Sequence, residues 1–381
     1  MYIMREPSLL SPSTSDTNNI TMNKVLCVYA NTSPEKCYPT NSVRGFLTFL
    51  LVVVVVISLF GNLLLCGIVY RRSAMRSAIN LLLANVALTD FLLVLLHVPV
   101  ALAVLNSTGW PFNQPFCRFN GFIFQMLNCE KVLVLLVISI DRYFIIVKRC
   151  DTLTPHKSKI LICSTWVISF IVAIPPVLGW GVFRFTEGST QCLVHGSLGD
   201  IDMLAKSYIL FSSAVTVMTP TLALLFIYYR ILRTVRRNGF RIQNHPPVTP
   251  TAMHKKGKYF IDYCYKTRMS TTILLLSLFY ILSIFPLGVV NMIIALHQYG
   301  AVSMETVVGV LIFSYLHSAS SPLLYYWRIK KYRKIVNDLC VQIFVFPHCV
   351  LFSAHRKRRV RPHVVYKVEE MNLKYINGLS K

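Results

Sequence analysis

The stretch "LNCEKVLVLLVISIDRYFIIV", residues 127–147, is almost pure hydrocarbon, yet Glu130 and Lys131 stand near its middle and Asp141, Arg142 and Tyr143 near its end. A second apolar run, "LANVALTD", closes on Asp90. Ionisable groups in such runs are costly to bury, so they suit a charge relay, an ion path, a counter-ion or a switch. Other chemistry lacks its residues: His97, His297 and His317 are scattered without metal-ligand spacing, and no nucleophile constellation accompanies them. No catalysis, cofactor or metal is expected.

The elements that must position these charges follow from composition. Of 381 residues, 54% are hydrophobic and only 14% charged, and the mean hydropathy is +0.55, too apolar for an ordinary soluble domain. Crossing about 30 Å of hydrocarbon takes about 20 helical residues. Seven runs qualify: 46–70, 78–105, 117–147, 160–180, 207–229, 269–297 and 304–327. Lipid permits only helices or closed barrels, and barrel strands would be shorter and alternating. The expected fold is therefore an all-α membrane protein, a seven-transmembrane helix bundle.

Charge gives the expected orientation. The amino-terminal segment and the loops after spans two, four and six carry Arg5, Lys24, Lys36, Arg44, Arg118, Arg184 and Lys206 against seven acids. The opposite side holds 31 of the 39 basic residues against six acids. The positive-inside rule makes that side cytosolic and the amino terminus extracellular, in a multi-pass protein of the plasma membrane. The net charge of +24 thus reports topology and needs no nucleic acid. Asn19, Asn31 and Asn106 head glycosylation sequons that all fall on the outer side. Residues 1–42 show no cleaved signal peptide, so the first span is expected to serve as its own insertion signal. Cys27, Cys37, Cys117 and Cys192 are the outer cysteines, with three pairings open. Cys27–Cys37 would close a short loop, and Cys117–Cys192 would tie the third span to the long loop after the fourth.

The expected organisation is an extracellular glycosylated tail (1–42), the bundle (43–327), an amphipathic membrane-surface helix on the cytosolic face (328–344) and a basic cytoplasmic tail (345–381). The surface helix is drawn from Trp327, Ile329, Tyr332, Val336, Leu339 and Ile343 recurring opposite Lys330, Lys331 and Lys334. Cys340 and Cys349 are candidate palmitoylation sites beside it. "HRKRRVRPH" reads as juxtamembrane electrostatics.

Taken in order, Gly61-Asn62, Asp90, Cys117, Asp141-Arg142-Tyr143, Trp166, Pro220 with Tyr228, and Pro286 resemble the landmarks of rhodopsin-like (class A) G-protein-coupled receptors over roughly residues 43–342. "MRSAINLLLA", "KTR", "YYWRIKK" and "RRVRPHVVY" resemble a small orphan branch of that class. The resemblance implies coupling to a heterotrimeric G protein and an unknown ligand. Asp141 would neutralise Arg142 at rest, and Arg142 would meet Tyr228 on activation, with Tyr325 part of the same switch. Two departures bear on that switch. Ser283 and Ile284 stand where the class shows Cys and a toggle Trp, and Ser321 precedes Pro322 where the class shows Asn. Lys266 and Arg268 replace the usual acid at the base of the sixth span, so a resting ionic lock is not expected and basal activity should be high.

The implied ligand pocket offers Phe124, Gln125, Leu287, Asn291 and Tyr315. Phe124 replaces the Asp of amine receptors and Tyr315 the retinal-binding Lys, which leaves an apolar or lipid-like ligand, a peptide or no ligand open. Many receptors of the class hold sodium beside the second-span Asp. Lys131 here would take the cation's place and pair with Asp90, with Glu130 bonding elsewhere, because helix neighbours point about 100° apart. The alternative is a neutral, merely hydrogen-bonded Lys131.

The stretch 230–268 carries ten basic residues against one acid, suiting a G protein and anionic inner-leaflet lipids. Arrestin is not expected to be tail-driven, since only Ser353 and Ser380 follow Trp327 as phosphate acceptors; Thr249 and Thr251 are the expected sites. The competing class is an ion-coupled transporter running through Asp90, Glu130 and Lys131, but no paired interrupted helices mark inverted repeats.

Overall fold

The computed structural model describes the backbone of residues 41–339 except 108, 152, 186–190, 196–202, 245–249, 297–301, 303 and 330–331, and the side chains of these except 41, 74, 239–265, 294–296 and 304–305. Two compact units emerge, residues 1–322 and 323–381, and each is described by itself.

The first unit is a set of helices in chain order: α1 (Asn41–Arg71), α2 (Ala78–Leu105), α3 (Gln114–Tyr143), α4 (Pro155–Ala173), α5 (Met203–Ser213), α6 (Thr219–Asn244), α7 (Pro250–Leu296) and α8 (Met304–Arg328), whose last turns belong to the second unit. A π-helical turn, Ala214–Met218, joins α5 to α6 into one span, so the membrane-spanning helices number seven among the described residues. Helix starts are set by local chemistry. The Asn113 side chain accepts from the Phe116 amide at 3.0 Å, and Thr154 accepts from that of Lys157 at 3.3 Å, each capping a first turn that holds a proline.

The sequence boundaries err where apolarity and helicity part company. The fourth span was expected over 160–180, but α4 ends at Ala173, because Pro175 and Pro176 lack the amide protons a continuing helix needs. Trp180 lies in the turn beyond, donating its indole N–H to Ser207 Oγ at 2.8 Å and stacking on Phe211. The loop that follows holds an antiparallel hairpin, β1 (Val182–Phe185) and β2 (Cys192–His195), with Phe185 opposite Cys192. Two helices outrun their apolar spans: α6 reaches Asn244 and α7 begins at Pro250. The periodicity continues there with charged residues, which a window of apolarity ignores.

Proline explains the π turn. Pro220 has no amide proton, and the chain compensates by widening the preceding turn, where the Thr219 N–H reaches back to Ala214 O. The turn also brings Val217 against Gly288 of α7, where an added Cβ would lie 3.0 Å from both Val217 methyls. Gly61 of α1 faces Pro322 still more tightly, since a Cβ there would overlap the proline ring.

In the second unit, residues 332–339 form a short helix. Tyr332 and Ile335 are buried on one side while Lys334, Asn337 and Asp338 are exposed on the other, an amphipathic pattern. The sequence placed this helix over 328–344. Arg328 instead closes α8, and Cys340, Ile343 and Cys349 lie outside the described residues. So do Asn19, Cys27, Asn31, Cys37, Thr249, Ser353 and Ser380.

Overpacking at a helix contact typically costs about 1–3 kcal/mol. Gly61→Ala should therefore lower the melting temperature of the detergent-solubilised protein, whereas Gly67→Ala, which meets nothing within 4 Å, should leave it unchanged or raised. Equal melting of the two variants would show that the Gly61–Pro322 approach is not a tight contact.

Candidate functional site

Asp90, on α2, is fully buried, and every bond it makes reaches another helix. Its Oδ1 lies 2.5 Å from Lys131 Nζ of α3 and accepts from Ser318 Oγ of α8 at 2.8 Å. Its Oδ2 accepts from Ser321 Oγ at 2.9 Å. His317 Nε2 stands 3.7 Å from the same carboxylate. The ammonium of Lys131 also faces the ring of Tyr280 on α7, 5.6 Å from its centre, and Tyr280 meets His317 edge to face. The Tyr280 hydroxyl donates to Asn128 O at 3.1 Å. One step further, the Ser318 carbonyl accepts from Asn62 Nδ2 at 3.1 Å and from Ser58 Oγ at 3.2 Å. The cluster thus draws on α1, α2, α3, α7 and α8.

Glu130 turns the other way. Its Oε1 accepts from Asn85 Nδ2 at 2.7 Å and faces Thr165 Oγ1 at 3.0 Å, and its Oε2 accepts from Ser169 Oγ at 3.2 Å. Trp166 donates its indole N–H to Asn85 Oδ1 at 3.1 Å. The structure therefore separates Glu130 from Lys131, neighbours in sequence, into two distinct networks.

At the far end of α3, Arg142 pairs with Asp141 beside it. The Tyr228 hydroxyl bonds Ser139 Oγ at 2.8 Å and Ser277 Oγ at 3.4 Å, not Arg142. Tyr143 packs its ring on Phe144. Ile284 is buried, and Ser283 donates back to Phe279 O at 2.7 Å within its own helix. Pro286 lies inside α7. In the second unit, Tyr325 packs edge-on to Tyr332, ring centres 6.3 Å apart.

The opposite end carries the Cys117–Cys192 disulfide, Cα atoms 5.5 Å apart, which ties α3 to β2. Of the candidate pocket residues, Phe124 and Tyr315 meet edge to face at 6.4 Å. Leu287 is buried, and Gln125 and Asn291 are half-buried. The Tyr315 hydroxyl donates to Gln191 Oε1 at 2.9 Å, closing the hairpin segment over the site. Asn106 is exposed at the end of α2.

Known proteins resolve what this arrangement is. Residues 61–325 match the family described as 7 transmembrane receptor (rhodopsin family). The chain belongs to that family. It is 35% identical to the human protein named probable G-protein coupled receptor 63, over 84% of this chain and 78% of that one. It is 33% identical to human probable G-protein coupled receptor 45, over 86% and 90%, and 32% identical to the Xenopus laevis protein named high-affinity lysophosphatidic acid receptor, over 85% and 89%. Squid rhodopsin superposes with a TM-score of 0.69 at 21% identity, over 83% of this chain and 89% of that one, a likeness of fold. The chain is thus a G-protein-coupled receptor, a multi-pass protein of the plasma membrane and a member of a receptor family rather than an enzyme. The transporter reading is left without support, and in the structure Glu130 is turned away from the Asp90–Lys131 pair.

The receptor's Asp90 site does not fit a sodium ion. The ammonium of Lys131 already occupies the cation's place, and two serine hydroxyls bond the same carboxylate. Sequence inspection missed Ser318, His317, Tyr280, Asn85, Thr165 and Ser169. Only the run "HSASS" and the Thr165/Ser169 pair, one helical turn apart, hinted at them.

Removing one partner of a buried ion pair costs about 3–5 kcal/mol. Lys131→Ala should therefore destabilise the receptor strongly, and adding Asp90→Asn should recover part of the loss. The wild type should melt alike in sodium chloride and choline chloride. A sodium-specific rise in the wild type, absent in Asp90→Asn, would overturn the assignment.

Proposed function

We propose that this receptor takes a lysophospholipid-type signal at its disulfide end, extracellular by the charge and sequon pattern, and passes it to a heterotrimeric G protein at its basic end. Its outer tail (1–42) is glycosylated and its carboxy-terminal tail (345–381) is cytoplasmic. The observation that carries the ligand class is the edge-to-face meeting of Phe124 and Tyr315. It sets an uncharged aromatic floor where an amine or retinal receptor needs Asp or Lys. The name of the Xenopus laevis relative, a lysophosphatidic acid receptor, points the same way.

At the inner end, Asp141 holds Arg142 at rest, and Tyr228 and Tyr325 are the groups that take over as the sixth span moves. Asn62, Trp166, Pro220, Pro286, Ser321 and Pro322 set the helices between which that motion occurs. Ile284 in place of a toggle Trp, and Lys266 with Arg268 in place of an acid, leave the resting state loosely held. Basic residues around the inner ends, the amphipathic helix and palmitoylation at Cys340 and Cys349 bind this face to anionic lipids. Arrestin engages through the third inner loop.

Cells expressing the wild type should show G-protein activation above mock without ligand. Arg142→Ala should return it to baseline, and lysophosphatidic acid should raise the wild type further. A wild-type baseline equal to mock across all G-protein families, with no response to the lipid, would refute this reading. Arrestin recruitment should survive replacement of both Ser353 and Ser380 by alanine; its abolition would place the phosphate sites in the tail.

A further inference from the structure

Two buried polar side chains near the disulfide end take no part in the networks above. His97 of α2 is 1% exposed and Asn120 of α3 is 3% exposed. Asn120 Nδ2 lies 3.3 Å from His97 Nδ1. An amide nitrogen only donates, so Nδ1 accepts, and the neutral imidazole then carries its hydrogen on Nε2. That Nε2–H and the Asn120 Oδ1 have no partner among the described residues. Turning the amide over exchanges the two roles but still leaves one donor and one acceptor unmet.

Leaving a buried polar group unmet costs about 1–3 kcal/mol, and proteins seldom tolerate it without a use. The surroundings indicate the use. The His97 ring stands edge-on to Phe124 at 5.2 Å, and Phe124 meets Tyr315, which is bonded to Gln191. Asn120 lies one helical turn beyond Cys117, on the face that the disulfide ties to β2. The unmet pair therefore sits between the aromatic floor and the tethered hairpin.

We propose that His97 and Asn120 form a polar subsite of the ligand pocket that takes a hydroxyl, the smallest group able to donate to one and accept from the other. This rests on the lysophospholipid reading above, in which the hydroxyl is the free one on the glycerol backbone. It fixes the headgroup's depth and rotation while the acyl chain lies against apolar side chains.

The test uses purified full-length receptor with 1-oleoyl lysophosphatidic acid and its 2-deoxy analogue as probes. The wild type should bind the hydroxyl form about tenfold or more tightly than the deoxy form. The preference should fall within about twofold in His97→Phe and in Asn120→Leu, and persist in His97→Gln, which keeps an N–H donor. Equal binding of the two lipids by the wild type, or an undiminished preference in Asn120→Leu, overturns the subsite. A second readout needs no ligand. Unmet buried groups cost stability, so the double variant His97→Phe with Asn120→Leu should melt no lower than the wild type; a fall of several degrees marks a structural pair and overturns the subsite. If neither lipid binds the wild type, the lysophospholipid reading fails and the melting comparison alone decides the subsite.

Discussion

A carboxylate in hydrocarbon has no water to hold its charge, so Asp90 must find every partner inside the protein, and the rest of the bundle is arranged around that need. Lys131 supplies the charge, and Ser318 and Ser321 supply the remaining hydrogen bonds. Because Ser318 also presents its carbonyl to Asn62 and Ser58, the requirement spreads to α1. Hydrophobic surface cannot fix the depth and rotation of helices in lipid, since lipid tails are as apolar as leucine. Directional bonds to one buried charge can. The tight Gly61–Pro322 approach is a consequence, because α1 and α8 must come close enough for Asn62 to reach that carbonyl.

The second charge makes α3 the axis of the structure. Glu130 and Lys131 point about 100° apart, one toward α4 and Asn85 of α2 and the other toward Asp90 of α2, so α3 can neither rotate nor slide without unpairing a buried charge. Movement belongs instead where the bonds are weak. The fifth and sixth spans carry the π turn, Pro220, Pro286 and a glycine contact at Val217. Tyr228, which joins α6 to α3 and α7, does so through hydroxyls alone.

Much of this was legible in the sequence. Seven spans followed from apolar length, and the pairing of Lys131 with Asp90 rather than Glu130 followed from helix geometry and depth. What escaped has a common cause: small hydroxyl residues carry no hydropathy signal. Ser318, Thr165, Ser169 and Ser277 read as tolerated polar residues until the fold brings an acid or a phenol beside them. Span ends failed for a related reason. Apolarity marks where a helix meets lipid, whereas capping and proline mark where it starts and stops, so α4 ended before its apolar run and α6 and α7 continued beyond theirs. The β1–β2 hairpin was invisible because its strands are only four residues long, too short for an alternating pattern to stand out.

Tyr280 shows how the buried charge and the sixth span are coupled. Its ring covers the ammonium of Lys131 and the edge of His317, while its hydroxyl is held by Asn128 O. A desolvated cation facing an aromatic ring is stabilised by about 2 kcal/mol, so displacement of α7 removes a favourable contact from the ion pair as well as a hydrogen bond from α3. The pair itself persists, because its serine and aspartate partners lie on α2 and α8. Part of the conformational cost of moving α7 therefore falls on this side chain, one helical turn before Ile284. A residue without a ring stands where the class carries a tryptophan, and Tyr280 is left as the aromatic group through which the sixth span bears on the charged core.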